Sequence, residues 1–326
     1  MSTKSINVLI TTSKKREKYL DGILSALKEQ TLSPNEIYII YDGALKAGNK
    51  FQKNYPFSIN WIDNKERISL TCLQNHIIKI MKKEFVILLN DDIILEKEYI
   101  SELVRSMEED QCIGIACGKI LRMDRETIDS AGQFLDKNRK PQDRGYNQKD
   151  QGQYNNPEFI FGACAAAVLY RKSMLDDIAI TPGEYFDNDY NMFYEDLDIS
   201  WRANNFGWRT FYNPKAVVYH ERGATAKSKK PKFKFLQRYN FTWLDRRLKT
   251  DLIKNRYMTI IKNDKIKCFL FDLPHIVLYE LKLWCYCLLF EPQVVLETIK
   301  NMPLIIKAFK KRRLLAKKLK RLTCSH

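Results

Sequence analysis

The strongest constraint on the fold is an alternation of short apolar runs with helical patterns over the first hundred residues. The apolar runs predict four strands, at about 6–11, 36–41, 58–62 and 85–89. The segments between them predict helices near 16–29, 70–82 and beyond residue 96. Strands that alternate with helices in this way are typical of a largely parallel sheet covered by helices. The sequence therefore predicts an α/β fold.

Polar residues come directly after each of the four predicted strands. The strands end in Thr11-Thr12, Asp42-Gly43, Asp63-Asn64 and Asn90-Asp91-Asp92. In open α/β sheets, ligands bind in the crevice outside the carboxyl ends of the strands. A single polar strand end is common in any protein, but four in succession, three of them carrying carboxylates, indicate a binding site.

The net charge of +16 is concentrated near the C-terminus. Residues 227–249 carry +8 and residues 301–326 carry +9, so the rest of the chain is nearly neutral. Aromatic side chains lie among the first group of basic residues, which raises the alternative of a nucleic-acid-binding protein. That alternative does not explain the acidic groups at the strand ends, because carboxylates repel phosphates unless a metal lies between them.

The eight cysteines are scattered irregularly and include no Cys-x-x-Cys pair. This pattern disfavours a zinc site and favours reduced thiols in a cytosol. The first residues lead directly into the first predicted strand, so we expect no signal peptide.

The C-terminal third alternates basic and apolar segments. Residues 221–238 have few apolar anchors, which predicts a mobile basic flap. The apolar runs within 269–290 are interrupted by charges and by Pro274, which disfavours a membrane span. Residues 303–322 predict an amphipathic helix that can lie in a membrane interface. A solvated basic helix packed on the protein by its apolar side is the alternative.

Two acidic groups carry the candidate chemistry. Asp91 and Asp92 come after a predicted buried strand, and Mg²⁺ typically binds one or two protein carboxylates together with substrate phosphates. Glu195, Asp196 and Asp198 stand at the start of a helical pattern that begins near residue 190. Acids at this position can simply cap a helix, or one of them can act as a general base toward a hydroxyl.

In this order and spacing, the motifs resemble glycosyltransferase family 2, and within it the bacterial rhamnosyltransferase-like branch. The resemblance covers roughly residues 5–225 and rests on these segments: Val8-Leu9-Ile10-Thr11-Thr12, Tyr41-Asp42-Gly43, Asn75, Leu88-Leu89-Asn90-Asp91-Asp92, Gly162-Ala163-Cys164-Ala165, Phe193-Tyr194-Glu195-Asp196-Leu197-Asp198, Trp201-Arg202, Gly207-Trp208 and Pro214 through His220. It implies the GT-A fold of nucleotide-diphospho-sugar transferases, a Rossmann-like mixed sheet flanked by helices, here with a helical basic C-terminal extension.

The resemblance also implies roles for individual residues. Asp196 would be the catalytic base, supported by Glu195, and Asp92 would be a metal ligand, with His220 completing the metal site as in some members of the family. Residues implied in substrate binding are Thr11, Thr12, Asp42, Asn75, Asn90, Asp91 and Arg202, the last contacting the pyrophosphate or orienting the acid cluster. Asn90 stands where the strict Asp-x-Asp motif of the family has its first aspartate.

The function expected from the resemblance is that of an inverting, metal-dependent glycosyltransferase, using Mg²⁺ or Mn²⁺. It would move a sugar, rhamnose or another hexose, from a nucleotide-diphosphate sugar to a hydroxyl of a lipid-linked or cell-surface glycan. We expect a catalytic domain at 1–225 and a membrane-associated region at 226–326, peripheral at the cytoplasmic face of an anionic membrane, and no nucleic acid as partner. A nucleotidyltransferase is a further alternative, but no Gly-rich phosphate loop comes after Leu9.

Overall fold

The computed structural model describes residues 6–42, 55–66, 68–222 and 240–324. Apart from residues 221 and 222, the predicted basic flap lies outside the described residues. Internal contacts divide the chain into two units. The first comprises residues 1–134, 142–188 and 199–221, and the second comprises 135–141, 189–198 and 222–326. The second unit thus includes two short segments from earlier in the chain, in addition to the C-terminal residues.

The described strands are β1 (Ile6–Ser13), β2 (Glu36–Asp42), β3 (Ser58–Asp63), β4 (Phe85–Asn90), β5 (Ile93–Leu95), β6 (Ile113–Arg122), β7 (Ile128–Ser130), β8 (Gln133–Leu135), β9 (Pro141–Asp143), β10 (Glu158–Ile160), β11 (Ala167–Arg171) and β12 (Arg209–His220). The described α-helices are α1 (Leu20–Lys28), α2 (Leu70–Ile80), α3 (Tyr99–Glu109), α4 (Lys172–Ile178), α5 (Glu195–Asn205), α6 (Arg246–Asn263), α7 (Ile266–Phe271), α8 (Leu273–Phe290), α9 (Pro292–Lys300) and α10 (Met302–Cys324). Short 3₁₀ turns cover Glu17–Tyr19 and Asn240–Trp243.

A mixed sheet forms the centre of the first unit. Its strand order is β10-β12-β6-β11-β4-β1-β2-β3, with β5 paired to β12 and β7 paired to β6. The four strands predicted from the apolar runs are β1 to β4, and they pair in parallel in the order β4-β1-β2-β3. The predicted α/β sheet is therefore confirmed.

The apolar sequence of β1 is explained by burial on both faces of the sheet. Val8 and Ile10 belong to one hydrophobic cluster, whereas Leu9 belongs to another. All three side chains are almost fully buried. A parallel strand covered by helices on both sides needs such a continuous apolar run, because neither face meets water.

The antiparallel strand β11 lies between β4 and β6. The apolar run at 159–170 is split into β10 and β11, with a non-strand connection between them. At Gly162 in that connection, a Cβ atom would lie 2.8 Å from Oγ of Ser200. Close packing against Ser200 therefore explains why this position is a glycine.

The helix carrying the acidic group begins later than the sequence predicts. The helical pattern starts near residue 190, but α5 begins at Glu195. Phe193 and Tyr194 adopt left-handed backbone conformations, with φ of 70° and 71°. A right-handed helix cannot pass through two such residues, so the first turn of α5 consists of the acids themselves.

The second unit has its own small core around α6, formed by Ile253 with Leu283, Cys287 and Val294. Arg256 of α6 is fully buried and donates to the carbonyl oxygens of Asn138 and Arg139. These bonds hold the 135–141 segment against the helix.

The predicted amphipathic helix at 303–322 is present as α10. Its residues Ile305, Ala308 and Leu315 are buried within the second unit. Among the described residues, one helix, α8, is long and apolar enough to cross a membrane, with a mean hydropathy of 1.3. A helix of a soluble protein can pass the same test, so this is weak evidence for a span.

Candidate active site

The acid pair Asp91 and Asp92 comes directly after β4, and both side chains are buried. Thr12 Oγ1 donates to Oδ2 of Asp91 at 2.6 Å. Arg16 donates from Nε to Oδ1 of Asp91 at 2.8 Å, and its Nη2 lies 2.9 Å from Oδ2 of Asp92. Burial opposes the charge of Arg16, but hydrogen bonds and the charges of both carboxylates outweigh it and raise the guanidinium pKa. Arg16 therefore offsets part of the negative charge of the pair.

His220 ends β12 next to the acid pair. Strand pairing sets it opposite Ile93 of β5, the residue directly after Asp92. The imidazole Nε2 lies 3.4 Å from Oδ1 of Asp92, and Nδ1 lies 2.8 Å from Oδ2 of Asp129. Burial favours the neutral ring, but the hydrogen bonds and charges of the two carboxylates prevail, so the pKa of His220 is raised.

Asp92 and His220 have the geometry of ligands to one divalent cation. Two ligands of an ion such as Mg²⁺, each bound at about 2.1 Å, lie about 3 Å apart, and the measured separation of the two atoms is 3.4 Å. A carboxylate behind a histidine, here Asp129, is the usual support of a metal-bound imidazole. The residues present therefore fit a divalent cation.

The same site offers few protein ligands. Within the described ranges, no group of three or more His, Cys, Asp or Glu side chains is arranged to hold a metal. Two protein ligands suit a cation that takes its remaining oxygens from water and phosphates, as Mg²⁺ does. They do not suit a closed structural site of the zinc type, which needs four protein ligands.

The ends of β1, β2 and β4 bring most of the predicted nucleotide-binding residues to one edge of the sheet. Thr11 and Asn90 lie side by side across β1 and β4, and both are half-buried. Asp42 ends β2 with an exposed side chain, which accepts a hydrogen bond from Asn64 at 3.4 Å. The hydroxyl of Thr12 is already bonded to Asp91. Nucleotide binding by these residues stays a prediction.

Asn75 has a different role from the predicted one. Its Nδ2 donates to the carbonyl oxygen of Phe186 and to Oδ1 of Asn188, and its Oδ1 accepts from the backbone N–H groups of Tyr185 and Phe186. A side-chain amide has two donor hydrogens and two acceptor lone pairs. All four are used here, so Asn75 holds the 185–188 segment and has no hydrogen-bonding capacity left for a nucleotide.

Arg202 is likewise withdrawn into the core, although the sequence predicts a contact with pyrophosphate or with the acid cluster. Its side chain is 1% exposed. Nη1 donates to the carbonyl oxygen of Ile178 at 2.7 Å, and Nη2 donates to that of Tyr185 at 2.6 Å. The guanidinium thus ties α5 to the end of α4 and to the segment after it, and the pyrophosphate contact has no support from this placement.

In the second unit, Glu195 and Asp196 form the first turn of α5. Both side chains are half-buried, and Oε2 of Glu195 is shielded from solvent with no hydrogen-bond partner. Burial, together with the nearby charge of Asp196, raises the pKa of Glu195 to about 8. Oδ1 of Asp196 accepts from the backbone N–H of Leu197 at 2.8 Å. These two acids therefore differ in electrostatic environment although they are adjacent.

The backbone before these acids is held in a strained conformation. Left-handed non-glycine residues such as Phe193 and Tyr194 cost on the order of 1–3 kcal/mol each and cluster at functional sites. Asn255 of α6 donates from Nδ2 to the carbonyl oxygens of Met192 and Phe193, at 2.8 and 2.9 Å. This clamp supports the strained turn from which the acids project.

Asp198, the third acid of the motif, has a structural environment. It is 1% exposed, lies 3.0 Å from Nζ of the buried Lys262 and accepts from Nδ2 of Asn263 at 2.7 Å. All of its neighbours here belong to the second unit. Asp198 thus fixes the start of α5 to α6, and Asp196 is the more accessible acid.

Three residues of these two clusters carry no signal in the sequence. Arg16 falls inside a predicted helix, Asp129 lies in an irregular segment, and Asn255 lies between the two basic regions. None of them belongs to a motif with a characteristic spacing. Their roles arise from contacts with residues 62 to 91 positions away in the sequence, which a local pattern does not contain.

The chain matches one family of known proteins. The model of the family described as "Glycosyltransferase like family 2" matches residues 4–245. No curated protein sequence matches the chain.

Many solved structures resemble the chain, and three of them are GalNAc-T7, PcManGT and TarS. GalNAc-T7 with UDP, GalNAc and Mn²⁺ aligns at a TM-score of 0.54 and 14% identity, covering 66% of this chain and 43% of that one. The mannosyltransferase PcManGT from Pyrobaculum calidifontis, in complex with GDP-Man and Mn²⁺, aligns at 0.52 and 13% identity, covering 96% and 78%. TarS of S. aureus aligns at 0.48 and 16% identity, covering 96% and 55%. The chain thus spans less than half the length of the first structure, and at these identities the likeness with the first two concerns the fold, which is that of GT-A proteins.

Proposed function

The chain belongs to the glycosyltransferase-like family 2, and on that premise we propose that it is an inverting glycosyltransferase. It transfers a sugar, rhamnose or another hexose, from a nucleotide-diphosphate sugar to a hydroxyl group. The observation that carries the proposal is the pair of Asp92 and His220 at the carboxyl edge of the sheet, with their facing atoms 3.4 Å apart.

Asp92 and His220 hold a divalent cation, Mg²⁺ or Mn²⁺. The cation, when bound, supplies positive charge that offsets the charge developing on the departing diphosphate. Asp129 keeps the imidazole in the orientation that presents Nε2 to the site. The Mn²⁺ present in the GalNAc-T7 and PcManGT structures is consistent with this choice.

Thr11, Asp42 and Asn90 bind the nucleotide part of the donor. This assignment is supported by their positions at the ends of neighbouring strands, where ligands bind in open α/β sheets. Thr12 and Asp91, which are hydrogen-bonded to each other, contribute to the same nucleotide-binding edge. The two similar structures contain a nucleotide, UDP, and a nucleotide sugar, GDP-Man, respectively.

Asp196 accepts the proton of the acceptor hydroxyl, and Glu195 supports it. Inversion requires the hydroxyl oxygen to attack the anomeric carbon on the side opposite the leaving diphosphate, so the base must face that carbon. A general base contributes about 10²- to 10⁴-fold in rate. Since Glu195 has a pKa of about 8, it is mostly protonated at neutral pH and leaves Asp196 as the charged carboxylate.

The acceptor is a lipid-linked or cell-surface glycan precursor, and the enzyme acts as a peripheral protein at the cytoplasmic face of the membrane. Supporting this, residues 301–326 carry nine basic residues and no acid. Basic residues close to an anionic leaflet contribute about 1 kcal/mol each to attraction.

A panel of nucleotide sugars tests the proposal, because slow hydrolysis of the donor requires no acceptor. We expect hydrolysis of one donor or a small group of donors that depends on Mn²⁺ or Mg²⁺ and is abolished by a chelator. The anomeric configuration of the first-released sugar, observed by NMR, reports inversion. Hydrolysis that continues unchanged in chelator would exclude the metal role, and retained configuration would exclude inversion.

A further inference from the structure

Large apolar side chains are exposed along residues 265–290. Seven large apolar side chains on α7 and α8 are more than half exposed, and Phe271 reaches 82%. We name this set the apolar ridge: Ile266, Leu270, Phe271, Leu278, Leu281, Leu288 and Leu289. Monomeric soluble proteins rarely expose contiguous apolar patches of more than a few hundred Å², and larger ones mark interaction sites.

The acids of the same stretch face inward. Glu280 accepts hydrogen bonds from Nε of Arg256 at 2.8 Å and from the hydroxyl of Tyr257. Asp272 accepts from Nη1 of Arg139 at 2.7 Å. The two acidic residues that interrupt the apolar runs in the sequence therefore form ion pairs and hydrogen bonds inside the second unit.

The outward charges of this stretch have one sign. Lys265, Lys267 and Lys282 are exposed, whereas no Asp or Glu is exposed between residues 265 and 290, all of which the structure describes. Apolar residues bordered by lysines form the surface that binds an anionic membrane interface. If the ridge instead packed against the same face of a second copy of the chain, the lysines of the two copies would repel each other.

The inward contacts favour a position in the plane of the membrane. An 18-residue helix such as α8 is about 27 Å long, close to the thickness of a hydrocarbon core. A spanning position would have to separate Glu280 from Arg256 and move its carboxylate into lipid, which is costly. A helix lying in the interface keeps that pair and inserts only the ridge.

We propose that the apolar ridge is the membrane-binding surface of this protein, inserted into the interfacial layer of an anionic bilayer with α8 parallel to the membrane. This proposal rests on the membrane-associated part of the proposed function. It places the anchor on α7 and α8, whereas the sequence predicts it on the 303–322 helix.

The contacts of α10 support this shift. Lys311 is buried 2.8 Å from Asp189, and Arg312 donates to the carbonyl oxygens of Ile261 and Asp264. Part of the basic and apolar surface of α10 is therefore used within the second unit. Within residues 302–321 of α10, where side chains are described, Ile306 and Phe309 are the large apolar side chains that are more than half exposed.

Sedimentation of the full-length protein with vesicles tests the proposal. The probes are mixed phosphatidylcholine–phosphatidylglycerol vesicles and pure phosphatidylcholine vesicles. The ridge variant carries Leu281→Gln and Leu288→Gln, and the matched control carries Ile306→Gln and Phe309→Gln on α10, so that neither variant changes the net charge. All four positions are exposed, so neither variant removes core packing, and circular dichroism verifies the fold of both.

We expect the wild type to bind the anionic vesicles more tightly than the neutral ones. The ridge variant should lose at least about tenfold in affinity for the anionic vesicles, because each Leu side chain transferred from water contributes a factor of this size. The control should stay within about twofold of the wild type. Equal losses in the two variants, a loss confined to the control, or a wild type that binds no vesicle would overturn the proposal.

Two further measurements separate the possible failures. Light scattering of the wild type and the ridge variant identifies self-association. If the wild type forms a dimer and binds no vesicles, and the ridge variant is monomeric, the ridge is a contact between two copies of the chain and the proposal is overturned. Donor hydrolysis in vesicle-free solution should be the same in all three proteins. If vesicle binding fails while hydrolysis persists, the ridge proposal fails and the glycosyl-transfer proposal stands.

Discussion

Oδ2 of Asp129 lies 2.8 Å from Nδ1 of His220, and this contact leaves Nε2 of the ring facing Asp92. The two residues are 91 positions apart in the sequence and meet because β7 and β12 both pair with β6. A histidine at a strand end is ambiguous in sequence. Its buried carboxylate partner makes it a candidate metal ligand with a fixed orientation.

Asp129→Asn should weaken cation binding. The amide no longer stabilises the oriented, basic imidazole, and loss of such a supporting carboxylate typically costs about 10- to 100-fold in metal affinity. Calorimetric titration with Mn²⁺ in the presence of a nucleoside diphosphate measures the change. Asp21→Asn, at an exposed position of α1, serves as the control and should leave the affinity unchanged. An Asp129→Asn protein with wild-type affinity would remove His220 from the metal site.

Arg16→Gln should lower stability but enhance the response to cation. Arg16 contacts both buried carboxylates, and its loss removes a positive charge from beside them, which we expect to cost about 2 kcal/mol at this partly exposed position. A divalent cation supplies the missing charge and no longer competes with the guanidinium. Thermal unfolding with and without Mn²⁺ should show a larger stabilisation in the variant than in the wild type. Equal Mn²⁺-induced shifts would show that Arg16 and the cation do not share these carboxylates.

Glu195→Gln should change how stability depends on pH. The ordinary pKa of a glutamate is about 4.3, whereas that of Glu195 is raised to about 8. Between these values the folded protein binds a proton that the unfolded chain has lost, so the free energy of unfolding falls as pH rises through this window. Glutamine cannot ionise, so the variant should gain stability relative to the wild type at pH 9 compared with pH 5. Urea unfolding at both pH values measures this gain, and the exposed Glu98→Gln should show none.

Asp196→Asn should reduce turnover by about 10²- to 10⁴-fold while donor binding and stability remain, because the amide cannot accept the hydroxyl proton. Asp198→Asn should behave differently, because it leaves the buried Lys262 without its charged partner. We expect a loss of roughly 3 kcal/mol in unfolding free energy for that variant. Steady-state kinetics, donor titration and thermal unfolding of both variants distinguish the roles. An Asp196→Asn enzyme with near-normal turnover would refute the assignment of the base.

Local pattern was sufficient for most of the sheet. The four apolar runs of the first hundred residues became β1 to β4 within one or two residues. Burial on both faces explains the continuous apolar runs of β1 and β4, whereas β3 alternates exposed and buried residues in its first half. The polar residues after β1 and β4 lie on one edge because parallel strands share the direction of their carboxyl ends. The helix at 303–322 was likewise predicted from the helical spacing of its apolar residues.

The hydrogen-bond partners of individual side chains could not be predicted from local sequence patterns. Asn75 and Arg202 stand in the expected motifs, but their hydrogen bonds go to residues 178–188, a segment without a characteristic pattern. The late start of α5 depends on the clamp of Asn255 on residues 192 and 193. Such contacts join residues far apart in the chain, so they depend on the packed elements.

The sequence by itself determined the α/β class, the four parallel strands β1 to β4, the polar edge and the acidic motifs, because these depend on the period of apolar residues and on the residue types at the strand ends. Only the tertiary structure decided which carboxylates are paired, that Arg16 pairs with both Asp91 and Asp92, and that Glu280 faces inward while Leu281 faces water. The physical reason is that charge, burial and hydrogen bonding of a side chain are properties of its neighbours in space. Those neighbours are set by strand order and helix packing, which the local pattern does not encode.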